Sequence, residues 1–189
     1  MNAACLVFLL LLCGTVLPAK QRFERVLTVY LDPDPVVPAF TRMAAQSITT
    51  SVFARIGIGL DWRMGRPLKH AEGVIALRFV NACDQALPGD TLAIAFPYEG
   101  TRIHLFWDRI AIRSHPEALL GHVMAHEIAH LLQGVARHSE HGIMKAHWSG
   151  EDHSAMRMNA LVFEDTDVDL IRSGLDNRRL HIGSHAAGR

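Results

Sequence analysis

The stretch His126-Glu127-Ile128-Ala129-His130, continued by Gly134, His138 and Gly142-Ile143-Met144, decides how the rest of the chain is read. On an α-helix, two histidines four residues apart stand about 40° apart on one face, so both rings can reach a single Zn²⁺. The glutamate between them points close enough to such a metal to take a proton from its bound water without being a ligand. A buried helix spells HExxH now and then by chance. Here a helix-ending glycine, a further histidine and a glycine-led turn all follow within about a dozen residues, which makes the zinc reading the stronger one.

Just upstream, Ser114-His115-Pro116-Glu117 carries serine and glutamate at capping-box spacing and proline in the first turn, so a helix opens there. It runs to about Gln133 and stops at Gly134. Leu119, Leu120, Val123, Met124, Ile128, Leu131 and Leu132 supply its apolar contact area, while His126 and His130 share their own face. His122 lies one turn earlier on that face. A His122/His126 pair is a rival ligand set, but Val123 stands where the glutamate belongs, and His122 is read as a neighbour of the site.

Downstream, Ala136 to Glu151 is irregular and rich in histidine, glycine and serine. Asp165 to Arg172 resumes a helical pattern through Val168, Leu170 and Ile171, with acidic residues in its first turn as the helix dipole favours. The small, polar end from Leu180 to Arg189 is expected to fray.

Toward the N-terminus, Arg25 to Leu31 is rich in β-branched and apolar residues and halts at Asp32-Pro33-Asp34-Pro35, which predicts a first strand. Phe40, Met43, Ala44, Ile48, Val52 and Ile56 keep a three-to-four spacing between Pro38 and Ile56, and Gly57 and Gly59 close this long amphipathic helix. Leu60 to Arg63 and Val74 to Phe79 read as two further strands, and Asn81 to Asp90 as a loop holding Cys83. That cysteine is read as a passive thiol. Thr91 to Phe96 and Thr101 to Trp107 form an expected hairpin around Pro97-Tyr98-Glu99-Gly100, with Pro97 at an edge or strand end.

A chain of 189 residues with 49% hydrophobic content and no net formal charge fits one globular domain with a sizeable core. Scattered lysine and arginine give no electrostatic case for nucleic acid or an anionic membrane. Twelve histidines agree with a metal site, but a catalytic zinc needs only three protein ligands. Residues 1–19 read as a signal peptide: the apolar run Ala3 to Leu12 is too short to span a membrane comfortably, and Ala19 is a small residue at a possible cleavage point. Against it stand the lack of lysine or arginine before that run and Leu17 at minus three. Lipid anchoring through Cys13 is the weaker alternative, since three leucines ahead of it make a poor lipobox. The mature chain, from residue 20 to 189, is then a single secreted or periplasmic domain without a membrane span. Cys83 would be its sole cysteine, leaving no intramolecular disulfide.

The order of elements, together with residues 126 to 144, resembles the catalytic domain of the metzincin metallopeptidases. Their motif, HExxHxxGxxH with a methionine-containing turn, is stretched here: Gly134 follows His130 by four residues rather than three, and His138 by eight rather than six. The third ligand therefore lies between His138 and His141. His138 is favoured, because His141 leaves only Gly142 and Ile143 in which to present a ligand and turn beneath the metal. His138-Ser139 is similar to the end of the matrixin motif, and His-Ser-x-x-Gly-Ile-Met to small secreted bacterial peptidases of metzincin type.

The resemblance implies an α/β (α+β) zincin fold: a twisted mixed sheet with an antiparallel edge strand, two long helices and a C-terminal helix. It implies one catalytic Zn²⁺ on His126, His130 and His138, Met144 as the apolar floor below them, and Glu127 as general base. It further implies a peptide or protein substrate extended along the edge strand from Thr91 to Tyr98, and a pocket wall formed by Lys145, Ala146, His147 and Trp148. For Trp148 plain packing is an equal reading. A monomer is expected, and no propeptide, because the first strand begins close behind the leader. Two alternatives stay open. One is a gluzincin-type hydrolase in which Glu151 or Glu164 replaces His138; the other is a secreted zinc-binding protein without turnover.

Overall fold

A computed structural model describes residues 23–68, 73–81, 87–96, 99, 101–158 and 160–186. The expected leader and Cys83 fall outside these residues. Among them, five strands form one sheet: β1 (Arg25–Asp32), β2 (Ile58–Met64), β3 (Ile75–Val80), β4 (Ala93–Ala95) and β5 (Arg102–Phe106). Their spatial order is β2-β1-β3-β5-β4, with every neighbour parallel except the antiparallel β4/β5 pair at the edge. Val29 sits between Trp62 and Ile75, and Ala93, Ile94 and Ala95 face Leu105, His104 and Ile103.

Alternation along the strands sets the core face. Leu27, Val29 and Leu31 on β1, Ile75 and Leu77 on β3 and Ile103 and Leu105 on β5 are all buried, as strict period-two patterning requires. Against this face lie α1 (Ala39–Ala54) and α3 (Pro116–Gln133), with the single-turn α2 (Trp107–Ile110) between β5 and α3. The parallel β1/β2 pair needs a crossover, and α1 supplies it. The expected mixed sheet with an antiparallel edge is thus present, and no helix among the described residues is long and apolar enough to cross a membrane.

Three local expectations need correction. Phe40 and Met43, read as part of the buried stripe of α1, are exposed; the buried positions are Thr41, Ala45, Thr49, Val52 and Phe53. Small residues serve at this contact because α1 and α3 approach closely: Thr49 Oγ1 lies 2.9 Å from both the Ala45 and the Gly121 carbonyls. The capping box at Ser114 and Glu117 does not form. His115 is the N-cap instead, in left-handed conformation (φ 55°), with no side-chain cap bond, and Glu117 lies 3.7 Å from its ring. Finally, a helix begins where only irregular chain was expected: α4 (Gly150–Met158). Ser149 and Asp152 cap it reciprocally, the Ser149 N–H donating to Asp152 Oδ2 at 2.7 Å and the Asp152 N–H to Ser149 Oγ at 3.3 Å.

α5 (Asp165–Ala186) extends well beyond Arg172, past the point near residue 180 where the composition suggests fraying. It crosses α3 at Gly174, where a Cβ would stand 1.6 Å from the Leu132 carbonyl oxygen. That contact requires glycine.

Candidate metal centre

The second half of α3 carries His126 and His130, and the helix ends at Gly134 in left-handed conformation (φ 68°), its N–H returning to the His130 carbonyl. The chain then doubles back and brings His138 over the pair. One ring nitrogen from each of His126, His130 and His138 lies within 4.8 Å of the others, and the His138 ring centroid is 5.4 Å from that of His126 and 5.0 Å from that of His130. His126 and His130 are buried, while His138 is exposed at the mouth. The structure brings these three together. His141, His122, Glu151 and Glu164 stand outside the cluster.

Backbone carbonyls orient the helical pair. His126 Nδ1 lies 2.7 Å from the Ile143 carbonyl and His130 Nδ1 3.3 Å from that of Val135, so each Nδ1 carries the proton and each Nε2 a bare lone pair. The two Nε2 atoms face each other at 2.9 Å. Burial above all, with His130 adding to it, lowers His126 to about 3, and burial lowers His130 to about 4. Neither ring then takes up a second proton at neutral pH, and two lone pairs that close repel unless a cation lies between them. Two nitrogens on a tetrahedral Zn²⁺ stand about 3.3 Å apart. The donor set fits a metal of that size.

Glu127 lines the same cavity as the three rings. Burial raises its carboxyl to about 7, against the opposing pull of a hydrogen bond from the Ala95 backbone N–H on β4. The cavity, of about 530 Å³, is also lined by Thr91 to Ala95 on the edge-strand side, by Leu119 and Val123 from α3, and by Lys145, Ala146, His147 and Trp148 opposite. The last four are the residues expected in the pocket wall. Trp148 packs edge-on against the His126 ring, 5.6 Å between centroids, and donates its indole N–H to the Gly142 carbonyl at 3.3 Å. Lys145 is held by Asp152 at 2.5 Å.

The turn below the rings is fixed at both ends. Ser139 and Lys145 form a β-bridge, the Ser139 N–H donates to the Met144 carbonyl at 2.8 Å, and the Ile143 N–H donates to the Val162 carbonyl at 3.0 Å. Gly142 has φ 72°, and a Cβ there would lie 2.2 Å from the Val162 carbonyl oxygen. Met144 is fully buried. Glu164, an alternative ligand on sequence grounds, accepts the His141 N–H at 2.8 Å. His122 is buried and makes structural bonds with both nitrogens: Nδ1 donates to the Ala118 carbonyl at 2.8 Å and Nε2 accepts the Leu161 N–H at 3.0 Å.

Beneath His138 lies a residue that no sequence pattern singles out. Asp167, in the first turn of α5, is fully buried. Its carboxylate receives Arg137 Nη1 at 2.5 Å and Gln133 Nε2 at 3.3 Å, and Ser139 Oγ lies 2.8 and 2.9 Å from its two oxygens. In sequence these partners are about thirty residues away, and no local pattern links them.

No protein-family model and no curated protein sequence matches the chain. The fold, by contrast, is known: it is archaemetzincin-like. Archaemetzincin from Methanopyrus kandleri superposes with a TM-score of 0.53 at 11% sequence identity, over 82% of this chain and 98% of that one. At that identity the likeness is one of fold, and the three-histidine cluster must speak for the site by itself.

Proposed function

We propose that the protein is a zinc-dependent endopeptidase of metzincin type, with His126, His130 and His138 as the metal ligands and Glu127 as the general base. The single observation that carries this reading is the pair of Nε2 atoms 2.9 Å apart, with the His138 ring beside them and Glu127 in the same cavity. Zinc held there supplies Lewis acidity, polarising a scissile carbonyl and making water a stronger acid. The rest falls to the chain. Glu127 accepts the proton of the attacking water and returns it to the leaving amine. β4 is the edge strand and borders the cavity, so an extended peptide can add to it by main-chain hydrogen bonds. Met144 and Ile143 form the floor, the Ile143 carbonyl holding His126 in the tautomer that leaves Nε2 free. The apolar run at Ala3 to Leu12 supports export of the chain.

The test is peptide hydrolysis by the zinc-loaded protein and by its Glu127→Ala variant. Hydrolysis is expected to be chelator-sensitive and to fall by about 10²–10⁴-fold in the variant while zinc is retained. A variant that cleaves as well as the parent contradicts the mechanism.

A further inference from the structure

We propose that Asp167 is a positioning residue that presets His138 for the metal by gripping the residues on either side of it; this rests on the zinc reading above. His126 and His130 are oriented through their own Nδ1 atoms, but the His138 ring has no hydrogen bond among the described residues. Its ring is exposed, and its loop is two residues longer than the metzincin spacing to which it is similar. Something else must hold it.

Asp167 is placed to do so. A carboxylate with no exposed surface is costly unless its oxygens are fully hydrogen-bonded. Its donors are not scattered over the fold. Gln133 is the last residue of α3, Arg137 and Ser139 belong to the connection that leaves it and delivers His138, and the Glu164 N–H adds a fourth contact at 3.3 Å. Arg137 and Ser139 flank His138 directly. In extended chain, as at the bridge residue Ser139, successive side chains alternate sides. Turning residues 137 and 139 down onto Asp167 turns residue 138 up, toward the His126 and His130 rings. The buried carboxylate thus converts a long connection into one with a single register, and the order of the third ligand is established before metal arrives.

A merely structural staple between α5 and the loop would lower stability without acting through His138. The two roles separate in a double-mutant cycle on the full-length chain, with zinc affinity read by competition against a chromophoric chelator. Asp167→Asn is expected to weaken zinc binding by about 10–100-fold, the range for residues that orient metal ligands, and to weaken it no further in a His138→Ala background. Ser139→Ala follows the same cycle with the buried charge left in place, and so serves if Asp167→Asn does not fold. Ser139→Thr, which keeps the hydroxyl, recovers most of the loss. Unchanged affinity in Asp167→Asn and Ser139→Ala overturns the proposal, and so does an equal loss with and without His138. If the parent binds no zinc, or if His138→Ala binds as tightly as the parent, it is the ligand assignment that fails.

Discussion

His126 Nδ1 lies 2.7 Å from the carbonyl oxygen of Ile143, so the first histidine of the helical pair is aimed by the residue directly before Met144. The helix and the downstream turn are therefore one unit, and the turn cannot shift without turning the ring. Gly142 is its weakest tolerance. Gly142→Ala places a side chain at φ 72° and 2.2 Å from the Val162 carbonyl oxygen. The variant is expected to lose about 3 kcal/mol of stability and to retain less zinc after dialysis, read by urea unfolding and by elemental analysis.

Gly174→Ala tests the same frame from the other side. The added Cβ meets the Leu132 carbonyl at 1.6 Å, a backbone atom that cannot swing away. Forcing α5 off α3 is expected to cost about 3 kcal/mol or more, seen as a lower urea midpoint. A midpoint equal to that of the parent would mean that the two helices do not cross at this residue.

His122 gives the fold an acid sensitivity with a definite sign. Burial lowers its pKa, outweighing the bond to the Ala118 carbonyl, and its Nε2 must stay unprotonated to accept the Leu161 N–H. The unfolded chain takes up the proton near pH 6.5 and the folded chain only at lower pH. The stabilisation is thus fully present above about pH 6.5 and is lost as pH falls through and below it, at up to about 1.4 kcal/mol per pH unit. His122→Gln removes the titration. Its urea midpoint is expected to change less than the parent's between pH 7 and pH 5; parallel curves would exclude His122 as a source of the slope.

Much of this architecture could be read from residue pattern, and the exceptions share a cause. β1, β3 and α3 stand close to where periodicity puts them, because each buries a regular apolar set. His126, Glu127 and His130 are legible because one helix turn carries all three. α4 has only Met156 buried, so periodicity is silent there, although Ser149 and Asp152 at capping spacing are a usable sign of it. On α1 the exposed Phe40 and Met43 mislead, since hydrophobicity says nothing about how closely two helices approach. The helical pattern read from Asp165 to Arg172 runs on through Gly174, where α5 crosses α3. Asp167, the Ile143 and Val135 carbonyls and the Ala95 N–H could not be found in sequence at all, because their partners come together only through the tertiary fold.

In the proposed site three histidines hold one zinc ion, with His138 the third. It is tested most directly by the zinc content of the purified, dialysed chain beside His138→Ala, His141→Ala and Glu164→Ala. One equivalent per chain is expected in the parent and in the last two variants, with a large loss in His138→Ala. Zinc that survives in His138→Ala and disappears in His141→Ala or Glu164→Ala would contradict the assignment.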